Sequence, residues 1–138
     1  MEINIYTDGG SRGNPGISGY GVVIYDDKNN IIYQESKFIG IKTNNEAEYS
    51  GLIAALEWIQ KNQSIFKITQ LNFFADSQLL IRQLQGIYKV KAPTLLPFFA
   101  KAQQLLIQIS LPYFFKDIRR EFNELADKLA NQAMDSHF

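Results

Sequence analysis

The sequence predicts a single α/β domain over residues 1–138, in which a mixed β-sheet carries helices on its faces. Three observations support this fold class. Three strand-like segments follow one another through short turns, strands and helices then alternate, and hydrophobic residues make up 46% of the chain. Consecutive strands favour an antiparallel meander, whereas the later alternation with helices favours a mixed sheet. A chain of this length and hydrophobic content is expected to bury one core.

The first half of the chain changes from strand periodicity to helix periodicity. Residues 2–7 alternate apolar and polar side chains, which predicts a half-buried strand. The β-branched and aromatic segments 19–27 and 31–40 predict two more strands, with the turn DDKNN between them. Across residues 44–61, apolar side chains recur at helical spacing, which predicts an amphipathic helix.

The second half predicts two further strands and three further helices. They cover residues 68–76 (strand), 77–86 (short helix), 96–108 (helix), 110–118 (strand) and 121–134 (closing helix). Gly86 is a plausible stop for the short helix, and a segment with two prolines leads into the next helix. The closing helix has an apolar side made of Phe122, Leu125, Ala126, Leu129 and Ala133. We expect the last few residues of the chain to be frayed.

The composition excludes several kinds of chemistry. Lys and Arg number 14 and Asp and Glu number 14, so the net charge is zero and no global field attracts nucleic acid or membrane. The chain has no cysteine and a single histidine, His137, which excludes thiolate sites and argues against a Ser-His-Asp triad or a histidine zinc site. Catalysis would therefore depend on carboxylates. Without a visible signal peptide or membrane span, we expect a soluble cytoplasmic protein.

Two aspartates occupy equivalent positions at the ends of predicted strands. Asp8 follows the first strand and precedes two glycines, and Asp76 closes the strand LNFFAD. Each has a structural alternative, because Asp8 could be a turn former and Asp76 could be the N-cap of the next helix. If the two strands are neighbours, both carboxylates stand side by side at one edge of the sheet.

Glu48 is harder to explain by structure alone. Thr43 and Glu46 match a capping box, which gives Glu46 a role at the start of the helix, whereas Asn45 offers Glu48 only a weaker capping role. Glu48 shares the core-facing side of the helix with the apolar residues 52, 55, 56 and 59. A carboxylate that faces a core is costly unless it is paired or binds a metal, and this side of the helix offers no basic partner.

A fourth acid, Asp127, lies four residues after Asn123 and off the apolar stripe of the closing helix, where a solvated helix face is the simple alternative. Carboxylates that converge at one end of a sheet raise each other's pKa values. A hard divalent cation stabilises such a cluster, and oxygen-only ligation suits Mg²⁺, with Mn²⁺ as a substitute. Because Mg²⁺ also binds substrate phosphates, these acids point to phosphoryl chemistry.

Four motifs in order, TDGG…GNPG, TNNEAEY, ADSQ and NELADKLAN, resemble those of type 1 ribonuclease H over residues 8–131. The resemblance implies a five-stranded mixed sheet, with three antiparallel strands followed by two parallel ones. It implies endonucleolytic hydrolysis of the RNA strand of RNA–DNA hybrids, leaving 5′-phosphate and 3′-hydroxyl ends. The catalytic, metal-binding acids of the family, which hold two Mg²⁺ ions, fall on Asp8, Glu48, Asp76 and Asp127.

The resemblance also implies which residues contact the hybrid. Gly9 and Gly10 are expected to let the RNA backbone approach closely, where a side chain would collide. Further substrate contacts are expected from Asn14, Asn44, Asn45, Gln78 and Asn123. Selectivity for RNA is expected to come from its 2′-hydroxyl groups. Without the resemblance, these glycines and amides would be interpreted as turn and cap residues.

The chain departs from the family pattern at two points. Asp117 stands where many members carry a histidine that assists proton transfer, so we expect slower turnover. The segment IYKVKAPT replaces a basic helix-and-loop handle with which some members grip the DNA strand, so we expect weak, salt-sensitive hybrid binding. The pair Arg119 and Arg120 could contact phosphates or could simply be solvated.

Two other functions stay open at the level of sequence. One is another nuclease of the same fold, such as a junction resolvase or an exonuclease. The other is a non-catalytic module that binds hybrids, or a detached reverse-transcriptase domain. For the ribonuclease H function as for these alternatives, we expect a monomer that makes no membrane contact.

Overall fold

The computed structural model describes residues 1–136 and confirms the predicted order of strands and helices. The elements are β1 (Glu2–Arg12), β2 (Gly16–Tyr25), β3 (Ile31–Lys42), α1 (Asn44–Asn62), β4 (Gln70–Ala75), α2 (Gln78–Leu84), α3 (Leu96–Ile109), β5 (Tyr113–Asp117), a 3-10 turn (Arg120–Phe122) and α4 (Glu124–Asp135). The expected fraying concerns His137 and Phe138, which lie outside the described residues. Within residues 1–136, no helix is long and apolar enough to cross a bilayer.

The five strands form one mixed sheet in the order β3-β2-β1-β4-β5. β1 pairs antiparallel with β2, and β2 pairs antiparallel with β3. β4 lies parallel to both β1 and β5. The predicted sheet of three antiparallel strands followed by two parallel strands is therefore confirmed. Because β1 and β4 are parallel neighbours, their C-terminal ends point to the same edge of the sheet.

The main core lies between one face of the sheet and helices α1 and α3. Ile3 and Ile5 of β1 pack there against the predicted apolar stripe of α1, represented by Leu52, Leu56 and Ile59. All five side chains are at most 2% exposed. Burying such side chains contributes roughly 1.5–3 kcal/mol each, so this contact holds α1 firmly on β1.

Helix α4 covers the opposite face of the sheet and packs closely on β2. Val23 contacts Ala126 and Leu129 in a smaller core. Gly21 permits this approach, because a Cβ atom there would lie 2.3 Å from the carbonyl oxygen of Ala126. The two cores together fix α1 and α4 on the two sides of β1 and β2.

Asp8 lies inside β1 and not at its end, so the prediction of a strand over residues 2–7 is too short. The chain stays paired with β2 as far as Arg12, and Asp8 lies opposite Gly21. Pairing with β4, in contrast, ends at Tyr6. Gly9 follows Asp8 without ending the strand. An extended strand accommodates a glycine where a neighbouring element leaves no space for a Cβ atom, and α1 leaves none at Gly9. Asp8 therefore stands where the parallel pairing ends while the antiparallel pairing continues.

The closing helix begins at Glu124, three residues later than predicted. Arg120–Phe122 forms a turn of 3-10 helix, and Asn123 breaks the helical conformation. Phe122 is 65% exposed, so its predicted place on the apolar side of the helix is wrong. The physical reason is Asn123, whose side-chain amide donates a hydrogen bond to the Thr7 carbonyl at 2.9 Å and fixes how the chain enters α4.

The predicted start of α1 and the predicted stop of α2 are confirmed. Thr43 Oγ1 accepts a hydrogen bond from the Glu46 amide at 3.2 Å, and Glu46 Oε1 accepts one from the Thr43 amide at 3.0 Å, which completes the capping box. Gly86 has a φ of +80°, the left-handed conformation that ends many helices. Residues 85–95 then lead to α3 without another helix, so no basic handle lies at this point.

Candidate active site

Three acids from different elements meet at one edge of the sheet. Asp8 and Asp76 hold equivalent places on parallel neighbours, because Tyr6 pairs with Phe74 two residues before them. Glu48 reaches them from the N-terminal part of α1. One carboxylate oxygen from each of the three acids lies within 4.8 Å of the others. The structure thus brings together three of the four acids that the sequence singled out.

Gly9 allows α1 to come close enough for Glu48 to join the cluster. A Cβ atom at Gly9 would lie 2.4 Å from the carbonyl carbon of Ala47 and 2.6 Å from the backbone nitrogen of Glu48. No side chain fits at that distance, so the missing side chain of Gly9 is explained by packing within the protein. This differs from the expected approach of an RNA backbone. Gly10 has more space, since its Cβ would meet only the Met134 Cε at 3.5 Å.

Burial dominates the electrostatics of Asp8 and Glu48. Asp8 is 5% exposed, and its desolvation, followed by the charges of Asp76 and Asp127, raises its pKa to about 7. Desolvation, followed by the charge of Asp8, raises the pKa of Glu48 well above its ordinary value. The interaction between the two carboxyl groups adds to the raised pKa of Glu48 and partly offsets that of Asp8. Without a cation, the pair therefore retains a proton near neutral pH.

Asp76 is not the N-cap of α2, so this structural alternative is wrong. Ser77 is the cap, and its Oγ accepts a hydrogen bond from the Leu80 amide at 3.2 Å. Asp76 instead forms an ion pair with Arg120, with Oδ2 3.4 Å from Nε. The Asp76 side chain is 8% exposed and that of Arg120 is 80% exposed, so the acid is held inward while its partner stays in solvent.

Asp127 lies at the border of the cluster. It is partly buried in the first turn of α4, and a side-chain hydrogen bond with Asp8 helps to raise the pKa of Asp8. It does not belong to the group whose oxygens all lie within 4.8 Å of one another. The alternative of a solvated helix face is wrong, because Asp127 faces another carboxyl group.

The cluster opens into a cavity of about 430 Å³. Its lining includes Asp8, Gly9, Gly10, Arg12, Asn44, Asn45, Glu48, Asp76, Arg120, Asp127 and Asn131. A second cavity of about 380 Å³ shares Asp76 and Arg120 with the first and is also lined by Gln78 and Asp117. The two cavities adjoin at Asp76 and Arg120 and are together called the groove; Asp117, the expected auxiliary group, lines the second cavity.

Three of the predicted amide residues line the groove, whereas Asn14 and Asn123 form hydrogen bonds within the protein. Asn44 and Asn45 are exposed on the wall of the first cavity, and Gln78 is exposed in the second. Asn14 Oδ1 accepts a hydrogen bond from the Asn44 amide at 2.9 Å, so Asn14 holds the start of α1. Asn123 is 2% exposed and bonded to β1, so its role is structural and the expected substrate contact is not available to it.

The chemistry of the cluster fits a hard divalent cation. Glu48 Oε2 is buried and has no hydrogen-bond partner, an arrangement that is costly for a carboxylate. Asp8, Glu48 and Asp76 offer only oxygen ligands, which Mg²⁺ and Mn²⁺ prefer. A cation at this position would satisfy the free oxygen and offset the repulsion among the three carboxylates.

A family model described as reverse transcriptase-like matches residues 6–133. The chain belongs to this family. Among solved structures, this reverse transcriptase-like domain is similar to LC11-RNase H1, isolated from compost and solved in complex with an RNA/DNA hybrid. The TM-score is 0.93 and the identity 46%, and the match covers 99% of both chains. The resemblance to type 1 ribonuclease H and its fold is thereby confirmed.

Relatives of this reverse transcriptase-like domain include longer proteins. Ribonuclease HI of Halobacterium salinarum is 37% identical over 134 residues, which cover 97% of this chain and 65% of that protein. A bifunctional protein of Mycobacterium tuberculosis is 42% identical over 137 residues, which cover 99% of this chain and 36% of that protein. The chain therefore spans about a third of the length of its mycobacterial relative.

Sequence reasoning missed Arg12, which lines the cavity of this reverse transcriptase-like domain. The only signal in the sequence is a basic residue between two stretches, TDGG and GNPG, that both belong to the same motif. The sequence likewise did not decide whether Arg120 contacts a phosphate or is simply solvated. The ion pair with Asp76 was not visible in the sequence because it joins β4 to the segment before α4.

Proposed function

We propose that this chain is a ribonuclease H, an endonuclease that hydrolyses the RNA strand of RNA–DNA hybrids and leaves 5′-phosphate and 3′-hydroxyl ends. The observation that carries the proposal is the buried cluster of Asp8, Glu48 and Asp76, in which one Glu48 oxygen has no partner. Support comes from the 46% identity, along 99% of both chains, to a ribonuclease H1 solved with an RNA/DNA hybrid.

The cofactor in this proposal is Mg²⁺, with two ions per site and Mn²⁺ as a substitute. Asp8, Glu48 and Asp76 would hold the cations, and Asp127 would complete the ligand set from the border of the cluster. When bound, such ions activate a water molecule for attack on the phosphodiester and stabilise the leaving 3′ oxygen. The fixed positions of Asp8 and Asp76 on adjacent strands keep the ligands together before substrate arrives.

The other groove residues bind and orient the substrate. Asn44 and Asn45 present amides at the start of α1, which suits hydrogen bonds to 2′-hydroxyl groups. In a hybrid only the RNA strand carries these groups, so the amides favour that strand at the acids. Arg120 is largely exposed and could exchange Asp76 for a backbone phosphate. Asp117 offers a carboxylate in the position of a proton shuttle, where it works poorly at neutral pH.

The test is cleavage of an end-labelled RNA–DNA hybrid during a titration with Mg²⁺ or Mn²⁺. We expect cuts within the RNA strand alone, dependent on the cation. Asp8→Asn should abolish them, whereas the same change at the exposed Asp27 in the β2–β3 turn should not. If Asp8→Asn cleaves as fast as the unmodified chain, the mechanism is wrong.

The competing functions give different results in the same assay. A junction resolvase would prefer a labelled four-way junction, and an exonuclease would shorten the strand from one end. A binding module would retain the hybrid without cation-dependent cleavage. We further propose that the protein acts as a monomer in the cytoplasm, which sedimentation of the purified chain and microscopy of a tagged copy would test.

A further inference from the structure

Arg12 sits on the wall of the cavity and is paired with the far end of α4. Its Nη1 lies 2.6 Å from Asp135 Oδ1, and its Nη2 donates a hydrogen bond to Asn131 Oδ1 at 3.3 Å. The side chains of Arg12 and Asp135 are 41% and 66% exposed. Ion pairs this exposed contribute little to stability, because water and salt screen them. Arg12 can therefore leave Asp135 at small cost when a better anion arrives.

Arg12 and Arg120 stand at opposite ends of α4, and both line the cavity that holds the acids. Arg120 precedes the first turn of the helix, and Arg12 is bound at its last turn. A helix of 12 residues is about 18 Å long at a rise of about 1.5 Å per residue. A duplex in this groove presents two phosphate backbones, one on each side of its shallow minor groove. Because Arg12 and Arg120 lie toward opposite ends of α4, each can meet a different phosphate of such a duplex.

The other charged residues that line the cavity are mostly acidic, so binding of a polyanion there depends on the few basic side chains, Arg12 among them. Asp8, Glu48, Asp76 and Asp127 all line the cavity, and the formal net charge of the chain is zero, so no general field attracts a nucleic acid. Attraction must come from local cations. Among the cavity-lining residues, Arg12 and Arg120 are the two with basic side chains.

We propose that Arg12 is a substrate-binding residue that exchanges Asp135 for a backbone phosphate of the hybrid, and that Asp135 is an internal competitor for it. The guanidinium fork suits this exchange, because it can bind a carboxylate and a phosphate with the same two N–H groups. This inference rests on the proposed function and adds a second phosphate contact to it. It also predicts opposite effects for the two members of one ion pair.

The experiment compares Arg12→Ala, Asp135→Asn and the double variant. Binding to a fluorescent RNA–DNA hybrid is measured over a range of NaCl concentrations, with each change made in an Asp8→Asn background that prevents cleavage. We expect Arg12→Ala to weaken binding about five-fold and to reduce the slope of log K against log salt by about 0.7–0.9. Asp135→Asn should tighten binding about two-fold, because the competing anion is removed. The double variant should behave like Arg12→Ala.

A merely structural ion pair would give a different pattern. Arg12→Ala and Asp135→Asn would then lower the melting temperature equally and leave the affinity and the salt slope unchanged, which would overturn the proposal. Steady-state cleavage without the Asp8 change separates this inference from the proposed function. If the unmodified chain does not cleave the hybrid, the function is wrong. If it cleaves but Arg12→Ala leaves KM unchanged, only the role of Arg12 is wrong.

Discussion

Removing the charge of Asp8 should stabilise the cation-free protein above neutral pH. Its pKa is raised from 3.8 to about 7, mainly by burial and then by Asp76. Because the folded-state pKa is the higher one, the stability that the protonated group contributes is complete below about pH 4 and is lost as the pH rises through about 7. The difference between a pKa of 3.8 and one of about 7 corresponds to about 4 kcal/mol of unfolding free energy.

Asp8→Asn should recover only part of this free energy. The amide keeps an oxygen that can accept the hydrogen bond from the Gly9 N–H, which lies 2.9 Å from Asp8 Oδ1. It remains a buried polar group, however, so some desolvation cost stays. We expect the unfolding free energy at about pH 8 to rise by about 2 kcal/mol. Near pH 4 the two proteins should differ much less.

Urea unfolding in EDTA at several pH values measures this effect. The single tryptophan, Trp58, reports unfolding by fluorescence, because it stacks on Tyr33 with ring centroids 5.0 Å apart. Asp27→Asn is the matched control, since it makes the same change on an exposed turn. Parallel pH profiles for Asp8→Asn and the unmodified chain would refute the reasoning. Adding Mg²⁺ should then stabilise the unmodified chain more than the variant.

Three further substitutions, one of them with a matched control, test residues around the acids. Gly9→Ala should destabilise the protein by about 1–3 kcal/mol in thermal melts, because its Cβ would lie 2.4 Å from the backbone of Ala47. Gly10→Ala is the control and should have little effect, because a Cβ atom has space there. Asn123→Leu should cost about 2 kcal/mol by leaving a buried β1 carbonyl without its donor; an equal melting temperature would contradict that structural role. Asp117→His should raise the cleavage rate at neutral pH roughly tenfold, and an unchanged rate would argue against a missing proton shuttle.

Local patterns were sufficient for most of the fold and for singling out Glu48, whereas the assignment of Asp127 depended on the resemblance to type 1 ribonuclease H. Helical periodicity placed Glu48 on the buried side of α1, and the structure leaves it 8% exposed. The capping box separated Glu46 from Glu48 before any tertiary contact was known. The expectation that the strands of Asp8 and Asp76 are neighbours is confirmed, although Asp8 lies inside β1 and not at its end. The inferences about α1 succeed because they depend on residues that lie within a few turns of the same helix.

Tertiary contacts explain what the sequence did not predict. Gly9 was interpreted as space for a ligand, but its missing side chain makes room for α1, a contact between distant parts of the chain. Asn123 was interpreted as a substrate contact, but it fastens the start of α4 to β1. Arg12 was overlooked because its partner Asp135 lies near the other end of the sequence. Such contacts have no periodicity that a local pattern could show.

The instability of the acid cluster and its suitability for a cation have one origin. Gly9 and Asn123 hold α1 and α4 against β1, so the backbones that carry Glu48 and Asp127 stay close to Asp8. If the elements could separate, burial and repulsion would decrease together, and the pKa of Asp8 would fall toward its ordinary value. The same separation would spread the oxygens and weaken cation binding. A raised pKa of Asp8 in the cation-free protein is therefore a measure of how well the fold prepares the site for a cation.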